Sequence, residues 1–382
     1  MENFQGKLYV ALNNYLTEYK EKNDGNKYKP VAVGRYGIRT RESIYSKELA
    51  KDYSKNKVIF QNTLTVGMGS NQIDIGILDK DEIYSVSPAY HTYKISEINA
   101  NYLRYCLECR NQDMFIRYVK RGSRQGKTID LKRWLTYEIP VYDESTQQEI
   151  VSTLDKVSKI IENRKYQLDK LDELVKSRFI EMFGDPVLNP KGWDVVKIGD
   201  IATEVKYGTS LPAVEGGKYP YLRMNNMTND GHLDLSNLKY IDVPDDEIEK
   251  CIVRKGDVLF NRTNSVELVG KTCVFDLDEE MIIAGYIIRV RIHETMLPII
   301  FSNYMNTDVI KQYLRKIAKG AVNQANINAK ELQAIQIYLP PLDLQNQFAD
   351  FVAQVDKSKL AVQKSLEQLE ILKKALMQEY FG

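Results

Sequence analysis

Cysteine and histidine are scarce in this sequence of 382 residues, which contains four cysteines and three histidines. So few cysteines argue against a disulfide framework. The three histidines, His91, His232 and His293, are scattered and show no metal-ligand spacing. Cys106 and Cys109 form a Cys-x-x-Cys, but they lie within a helical pattern, so buried thiols are expected there and not a zinc site.

Long hydrophobic runs and an excess of one charge are also missing. No apolar stretch approaches the roughly 18 residues of a membrane span, and the N-terminal residues lack the basic-then-apolar pattern of a secretion signal. A cytoplasmic protein without membrane contact is therefore expected. The net charge is +1, although residues 1–144 carry +5 and residues 185–342 carry −3. Any nucleic-acid surface must therefore be local.

An internal repeat organises the chain. A shift of 198 positions aligns residues 147–184 with residues 345–382 without gaps, placing Gln147 on Gln345 and Phe183 on Phe381. Each copy consists of a globular unit followed by a long helical segment. We predict four regions: a first domain at 1–144, a central helix at 145–184, a second domain at 185–342 and a C-terminal helix at 343–382.

Both helical segments have apolar residues at steps of three and four, and neither contains proline or glycine before its closing Phe-Gly. About 38 residues at 1.5 Å each predict rods of roughly 57 Å. Because the two seams match in length, we expect an antiparallel, coiled-coil-like pair. Two independent amphipathic helices, or stalks that bind partners, are the alternatives. The predicted pairing residues are Leu154, Val157, Leu168, Leu171, Val352, Val355, Leu366 and Leu369.

The two globular units have the mixed pattern of an α+β fold. Short strand candidates in the second unit are separated by Gly, Asn and Asp turns, and they lie at residues 219–224, 257–260, 271–275 and 282–292. A helical stretch follows at about residues 298–318. The first unit repeats this order and has its helix at about residues 100–119.

After that helix, each unit carries a glycine-rich polar loop beside basic residues. In the first unit the predicted DNA-binding residues are Arg121, Ser123, Arg124, Gln125 and Lys127. In the second unit they are Lys319, Asn323, Gln324 and Asn326. Arginine can read guanine, and asparagine or glutamine can read adenine, while a basic helix end holds phosphates. The alternative is a solvated loop beside a cationic helix end.

Two further polar clusters are candidates for DNA contact. Asn261, Arg262 and Asn264 directly follow a predicted strand, and Arg35 and Arg39 lie in a basic, aromatic stretch. Ordinary turn chemistry explains the first cluster equally well. A solvated charged face is the alternative for the second.

Two stretches resemble catalytic motifs, but neither matches its motif. Gly122 to Thr128 resembles a P-loop, but it has three residues between its glycines where four are needed, and it follows a helix. Residues 87–90, Ser-Pro-Ala-Tyr, lack the second proline of an adenine methyltransferase motif. We therefore expect a non-catalytic chain that holds no cofactor.

Several stretches resemble the specificity subunit of type I restriction-modification enzymes. They are residues 183–186, 192–200, 255–262, 324–327 and 339–342, together with Gln345 and Gln347. Each motif is weak alone, but their order recurs along nearly the whole chain. The resemblance implies two target recognition domains, each reading one half of a bipartite, asymmetric site in double-stranded DNA, with the helices setting the spacer.

The resemblance also implies partners. Two modification subunits would dock on the helices and neighbouring domain faces, and would supply S-adenosylmethionine-dependent methylation of adenine. Motor-endonuclease subunits would join for cleavage with ATP and magnesium. None of this chemistry would reside in the present chain. A nuclease or methyltransferase that acts alone, and a scaffold that recruits proteins without reading DNA, are the alternative functions.

The first unit departs from the pattern. At a shift of 198, Met1 corresponds to Gly199, so the first unit lacks the Gly192-Trp193 lead-in of the second. Either residues 1–30 replace this lead-in, or the C-terminal end lies near the N-terminus and closes a circular arrangement.

Overall fold

The computed structural model describes residues 7–34, 37–44, 52–122, 126–321 and 324–382. The chain divides into two units, the first formed by Met1–Lys165 with Lys364–Gly382 and the second by Tyr166–Gln363. Each unit therefore contains one globular domain and a segment of each long helix. No helix in the described part of the chain is long and apolar enough to cross a membrane.

The first globular domain mixes short strands with one long helix. Its elements are β1 (Leu8–Ala11), β2 (Leu16–Glu18), β3 (Val31–Gly34), β4 (Gly37–Thr40), β5 (Lys57–Ile59), β6 (Thr63–Met68), β7 (Ile73–Leu78), β8 (Tyr84–Val86), β9 (His91–Ile95), α1 (Ala100–Tyr118), β10 (Val119–Gly122), β11 (Gly126–Ile129), α2 (Leu131–Trp134) and β12 (Glu138–Val141). The long helix α3 (Glu144–Phe183) follows.

An antiparallel sheet of order β2-β9-β6-β7 forms the centre of this domain. Leu64 and Tyr93 from the sheet and Leu103 from α1 are buried in one cluster with Trp134. The helix α1 begins after Asn99, whose side chain accepts hydrogen bonds from two backbone N–H groups of the first turn. Smaller pairs, β3-β4, β5-β8 and β10-β11, complete the domain.

The second domain has a larger number of short elements. They are β13 (Asp194–Lys197), α4 (Ile198–Ile201), β14 (Ala202–Tyr207), β15 (Tyr219–Leu222), β16 (Lys239–Ile241), α5 (Asp245–Cys251), β17 (Ile252–Val253), β18 (Val258–Asn261), β19 (Thr263–Asn264), β20 (Thr272–Val274), β21 (Met281–Ile283), β22 (Ile287–Ile292), α6 (Pro298–Met305), α7 (Asp308–Ile317), β23 (Lys319–Ala321), β24 (Gln324–Asn326), α8 (Ala329–Gln333) and β25 (Gln336–Leu339). The last helix is α9 (Leu342–Phe381).

This domain contains three sheets of three or four strands, of orders β14-β22-β18-β20, β16-β15-β21-β17 and β19-β24-β23, and the two-stranded sheet β13-β25. Residues 282–292, expected as one strand, form two strands in different sheets, because the chain turns at residues 284–286 between β21 and β22. The expected helix at residues 298–318 is likewise two helices, α6 and α7, interrupted at Asn306 and Thr307. The α+β class expected from the sequence is confirmed.

The missing lead-in of the first domain is replaced by β1. This strand pairs antiparallel with β12, as β13 pairs with β25 in the second domain. Lys7 Nζ also donates a hydrogen bond to the carbonyl of Gly382, at 3.3 Å. Both alternatives are therefore observed: residues 8–11 take the place of the lead-in strand, and the C-terminal residues lie beside the N-terminal strand.

The long helices pair within each unit. In the first unit, the early part of α3 packs against the late part of α9, where Leu154 and Phe381 share one core and Lys165 forms an ion pair with Glu370 at 3.0 Å. In the second unit, Phe179 packs edge-on against Phe348. The segments run antiparallel in both units, which confirms the predicted pairing.

The predicted pairing residues differ in depth. Four are buried, namely Leu154, Val157, Val352 and Val355. Four are only half-buried, namely Leu168, Leu171, Leu366 and Leu369. The apolar seam is therefore deepest beside each globular domain and shallower farther along the helices.

Candidate nucleic-acid interface

Two polar clusters of the second domain meet in one three-stranded sheet. The hairpin β23-β24 pairs with β19, which places Thr263 opposite Asn326 and Asn264 opposite Ala325. Thr263 Oγ1 hydrogen-bonds Asn326 Oδ1 at 2.8 Å, across 63 sequence positions. The Gly-rich segment expected as a loop is thus a hairpin, and its exposed Gln324 lies on the same sheet.

Asn261 does not belong to this exposed surface. Its side chain is fully buried, and its amide nitrogen donates to the carbonyls of Thr263 and Tyr286 at 3.2 and 3.1 Å. Its oxygen accepts from Asn264 Nδ2 at 2.9 Å. The prediction that Asn261 contacts DNA is therefore wrong, because a buried amide with its hydrogen bonds satisfied shapes the turn and cannot reach a base.

The two cations of this region have different surroundings. The Lys319 side chain is 81% exposed and pairs with Glu331 at 2.6 Å, and this hydrogen bond raises the pKa of Lys319 and lowers that of Glu331. The guanidinium of Arg262 is half-buried over the ring of Tyr207, at 4.8 Å, and donates to the carbonyl of Gly285 at 3.2 Å. Arg262 is therefore held by the ring and the carbonyl, whereas Lys319 is an exposed surface charge paired with Glu331.

In the first domain, β10 and β11 form the corresponding hairpin after α1. The backbone register places Arg121 opposite Lys127. Lys127 Nζ donates to the carbonyl of Ser70 and lies 5.4 Å from the ring centroid of Phe115. Ser123, Arg124 and Gln125 lie outside the described residues, as does Asn323 in the second domain.

The remaining basic candidates of the first domain are Arg39 and Arg35. Arg39 is an exposed residue of β4 and lies opposite Ala32 of β3. Arg35 falls outside the described residues. The pair β3-β4 contributes Val31 and Val33 to a small core with Ile59, which supports this hairpin from below.

Sequence reasoning missed a cleft beside the three-stranded sheet that is lined by both polar and apolar residues. Besides Arg262, it is lined by Ser210, Arg223, Asn225 and Tyr286. These residues come from separate chain segments, and none belongs to a recognisable motif. No local pattern in the sequence could therefore have predicted that these residues line one cleft.

One cluster of the second unit has metal-ligand residue types. Asp172, Asp230 and His232 each bring one potential ligand atom within 4.8 Å of the others. The ammonium of Lys359 lies among them, 2.5 Å from Asp172 Oδ1 and 3.0 Å from His232 Nε2. A lysine in this place supplies the positive charge that a metal ion would bring, so the geometry is that of an ion-pair network.

The cysteines were expected to be buried thiols, and most of them are buried. All four are free thiols, and three of them, Cys106, Cys251 and Cys273, are buried. Burial raises the pKa of the Cys106 thiol, which disfavours the thiolate that metals and electrophiles require. The three buried cysteines therefore serve as packing residues of the core.

Comparison with known families decides the relationship of the chain. The family model described as "Type I restriction modification DNA specificity domain" matches residues 9–172 and 190–371. The chain belongs to this family. Both copies of the type I specificity domain therefore cover a globular domain together with part of the long helix that follows it.

Curated members of the type I specificity family are similar over part of their length. A putative type I restriction enzyme MjaX specificity subunit of Methanocaldococcus jannaschii is 29% identical over 196 residues, which are 50% of this chain and 46% of that protein. The EcoKI specificity subunit of Escherichia coli is 22% identical over 264 residues, 64% of this chain and 56% of that protein. The chain thus spans about half the length of the curated relatives it matches.

Solved structures of type I systems share the fold over the whole chain. The S subunit of a type I restriction-modification system from M. genitalium aligns with a TM-score of 0.56 at 16% identity and covers 100% of this chain and 98% of its own. A chain from a study of complex assembly and conformational transition of a type I R-M system aligns with a TM-score of 0.57 at 17% identity. This alignment also covers 100% of this chain and 98% of that chain. Likeness at this identity establishes the fold.

Proposed function

We propose that this chain is the sequence-specific DNA-binding subunit of a type I restriction-modification complex. Each globular domain reads one half of a bipartite, asymmetric site in double-stranded DNA, and the paired helices set the unread spacer. The protein acts in the cytoplasm, the reducing compartment that suits its free cysteines.

One observation carries this proposal. Both domains present a β-hairpin directly after a domain helix, β10-β11 after α1 and β23-β24 after α7, but the hairpins differ in sequence. In sequence, the first segment contains Arg121, Arg124 and Lys127, and the second contains Gln324 and Asn326. The same scaffold with different donors and acceptors is expected if two domains read two different half-sites.

We also propose the partners that the family resemblance implies. Two modification subunits dock on the helices and adjoining domain faces and carry the methyltransferase chemistry, flipping the target adenine out of the duplex. Motor and endonuclease subunits complete the assembly for cleavage. The chain is non-catalytic in this proposal, so it positions those subunits on DNA.

Domain exchange tests the two-reader arrangement. Residues 1–140 are replaced by those of a relative with a different target, and methylated adenines are mapped in a genome that expresses the chimera with its modification subunits. We expect one half of the methylated site to change and the other to persist, because the exchanged hairpin belongs to one domain. A change in both halves, or in neither, contradicts the proposal.

DNA binding by the reconstituted complex separates this function from the alternatives. Preference for one sequence, with affinity that falls as salt rises, is expected of a DNA reader. A scaffold would show no sequence preference. Methylation or cleavage by the purified chain without partners would instead identify an enzyme.

A further inference from the structure

A cleft of about 390 Å³ opens on the second domain. This volume lies within the range of natural ligand sites, about 300–1,000 Å³. Its walls come from residues 209–213, 221–225 and 284–286, together with Arg262. Arg262 directly precedes Thr263, the first residue of β19, so the cleft adjoins the three-stranded sheet that holds Gln324.

The positive charge of the cleft is not neutralised. Other arginines of the domain pair with carboxylates: Arg254 with Glu249 and Glu280, and Arg289 and Arg291 with Glu204. Two arginines that line the cleft, Arg223 and Arg262, have no such ion pair within the described ranges, and no acidic residue is among those that line it. Half-buried guanidinium groups without a counter-charge favour an anionic ligand.

Both guanidinium groups are held by the protein but keep hydrogen-bonding capacity. Arg223 Nη2 donates to the carbonyl of Asn237 at 2.9 Å, and Arg262 Nη1 donates to that of Gly285 at 3.2 Å. The Nε atom of each arginine is buried, so the donors that remain for a ligand are on the terminal nitrogens. A guanidinium offers five donors, so each group retains donors for a ligand while its direction is fixed.

The other walls suit a nucleotide. The side chain of Tyr286 is half-exposed at the rim, and Ser210 and Asn225 are exposed polar residues. An aromatic face packs against a base or a deoxyribose, while hydroxyl and amide groups bond phosphate oxygens. Residues 185–342 carry a net charge of −3, so the two arginines of the cleft do not reflect an overall basic domain.

We propose that the cleft binds the DNA backbone at one nucleotide of the half-site read by the second domain. Arg223 and Arg262 hold the phosphodiester, and Tyr286 packs against the attached sugar or base. This inference rests on the proposed function. Since Arg262 and β19 are adjacent in the chain, the bound phosphate positions the hairpin β23-β24, and Gln324 with it, over the base edges.

Charge-removing variants test this phosphate clamp, formed by Arg223 and Arg262, in the reconstituted complex. The affinities of Arg223→Gln, Arg262→Gln and the wild type for target and non-target duplexes are compared between about 50 and 200 mM salt. Lys255→Gln is the control, because it removes an exposed lysine that pairs with Asp278. Each arginine variant should weaken binding about tenfold on both duplexes. The slope of log affinity against log salt should become shallower by about one. The control should keep the wild-type slope.

Two more variants distinguish a loss of DNA contact from a loss of folding. Asn225→Asp adds a carboxylate to the exposed rim without a change in shape, so it should weaken DNA binding while the unfolding midpoint stays unchanged. Gln312→Glu, an equally exposed change on α7, is its control. Arg262→Lys keeps the charge, so the salt slope should be retained.

The outcomes distinguish this inference from the proposed function. If the wild-type complex selects its site but the arginine variants and Asn225→Asp bind with unchanged affinity and slope, the clamp is overturned and the function stands. Loss of assembly with the modification subunits, with no effect on DNA affinity, would assign the cleft to a protein partner and overturn the clamp. A wild-type complex without sequence preference would overturn both.

Discussion

Gln147 and Gln345, related by the repeat, have the same structural role. Gln345 accepts from the backbone N–H of Leu297, the residue before α6, and donates to the carbonyls of Thr295 and Pro340. Gln147 accepts from the N–H of Asn99, the residue before α1, at 3.0 Å. Both side chains are buried, so each ties the start of a long helix to the start of a domain helix.

Loss of this side chain should destabilise each unit. We expect Gln345→Ala to lower the free energy of unfolding by about 1–3 kcal/mol, because buried backbone groups lose their partners. Gln147→Ala should act in the same direction. Urea unfolding measures the effect, with Gln347→Ala on the exposed face of α9 as the matched control. Equal stability of Gln345→Ala and Gln347→Ala would contradict this role.

Lys311 shows how burial changes a basic group. Desolvation, aided by the nearby charge of Lys176, lowers the pKa of Lys311 from 10.5 to about 8. Its ammonium donates to the carbonyl of Asn229. Between pH 8 and 10.5 the unfolded chain binds more protons at this position than the folded chain, so stability should rise with pH across that window.

Replacing this lysine should abolish its part of the pH dependence. We expect Lys311→Met to be more stable than wild type near pH 7, and the difference should shrink as the pH rises from 8 to 10. Denaturant unfolding at several pH values provides the measurement. Lys255→Met, which removes an exposed lysine, should parallel the wild type over this range. A constant difference between Lys311→Met and wild type would refute the assignment.

Among the elements, the seam of the long helices is not equivalent in the two units. Lys359 is only 8% exposed and pairs with Asp172, whereas the corresponding position in the first repeat is Ile161, also 8% exposed. A buried charge depends on its partner, while an aliphatic side chain needs only packing. The second unit therefore carries a polar link where the first has an apolar contact.

A double-mutant cycle measures this polar link. Lys359→Ile introduces the residue of the first repeat but leaves the half-buried Asp172 without its ammonium partner, so we expect a loss of about 1–3 kcal/mol of stability. The double variant Lys359→Ile with Asp172→Leu should recover most of that loss, because no charge of the pair is then left without its partner. Additive effects of the two single variants in urea unfolding would show that the pair is not coupled.

The short strands were harder to predict than the helices. The repeat and the absence of proline and glycine predicted two long helices, and they extend over 40 residues each. By contrast, residues 282–292 were expected to be one strand, but β21 and β22 belong to different sheets. Both segments are rich in isoleucine and mostly buried, although β22 also contains Arg289 and Arg291, so composition alone does not mark the break at residues 284–286.

At the scale of the whole molecule, the C-terminal residues complete the first unit. Phe381 is fully buried and packs edge-on against Tyr102, at 5.2 Å between ring centroids. Tyr142 Oη donates to the carbonyl of Tyr380 at 3.2 Å. The core of the first unit therefore contains side chains from both ends of the chain.

Variants in the two hairpins should affect different halves of the target site. Lys127→Ala alters the first domain and Gln324→Ala the second, so each should relax methylation specificity in its own half-site only. The expected loss for a base contact is about 1–3 kcal/mol of discrimination at one position. Genome-wide mapping of methylated adenines reads out both halves at once. Relaxation of the same half by both variants would contradict the division of labour.

The sequence by itself determined the repeat, the extent of the long helices, the α+β class and the approximate positions of the polar hairpins. These features depend on periodicity and on local turn chemistry, which neighbouring residues encode. Only the tertiary structure decided that Asn261 is buried, that β19 joins β24, and that Arg223 and Arg262 share one cleft. Such contacts join segments far apart in the chain, and burial and strand pairing select them only when the whole domain packs.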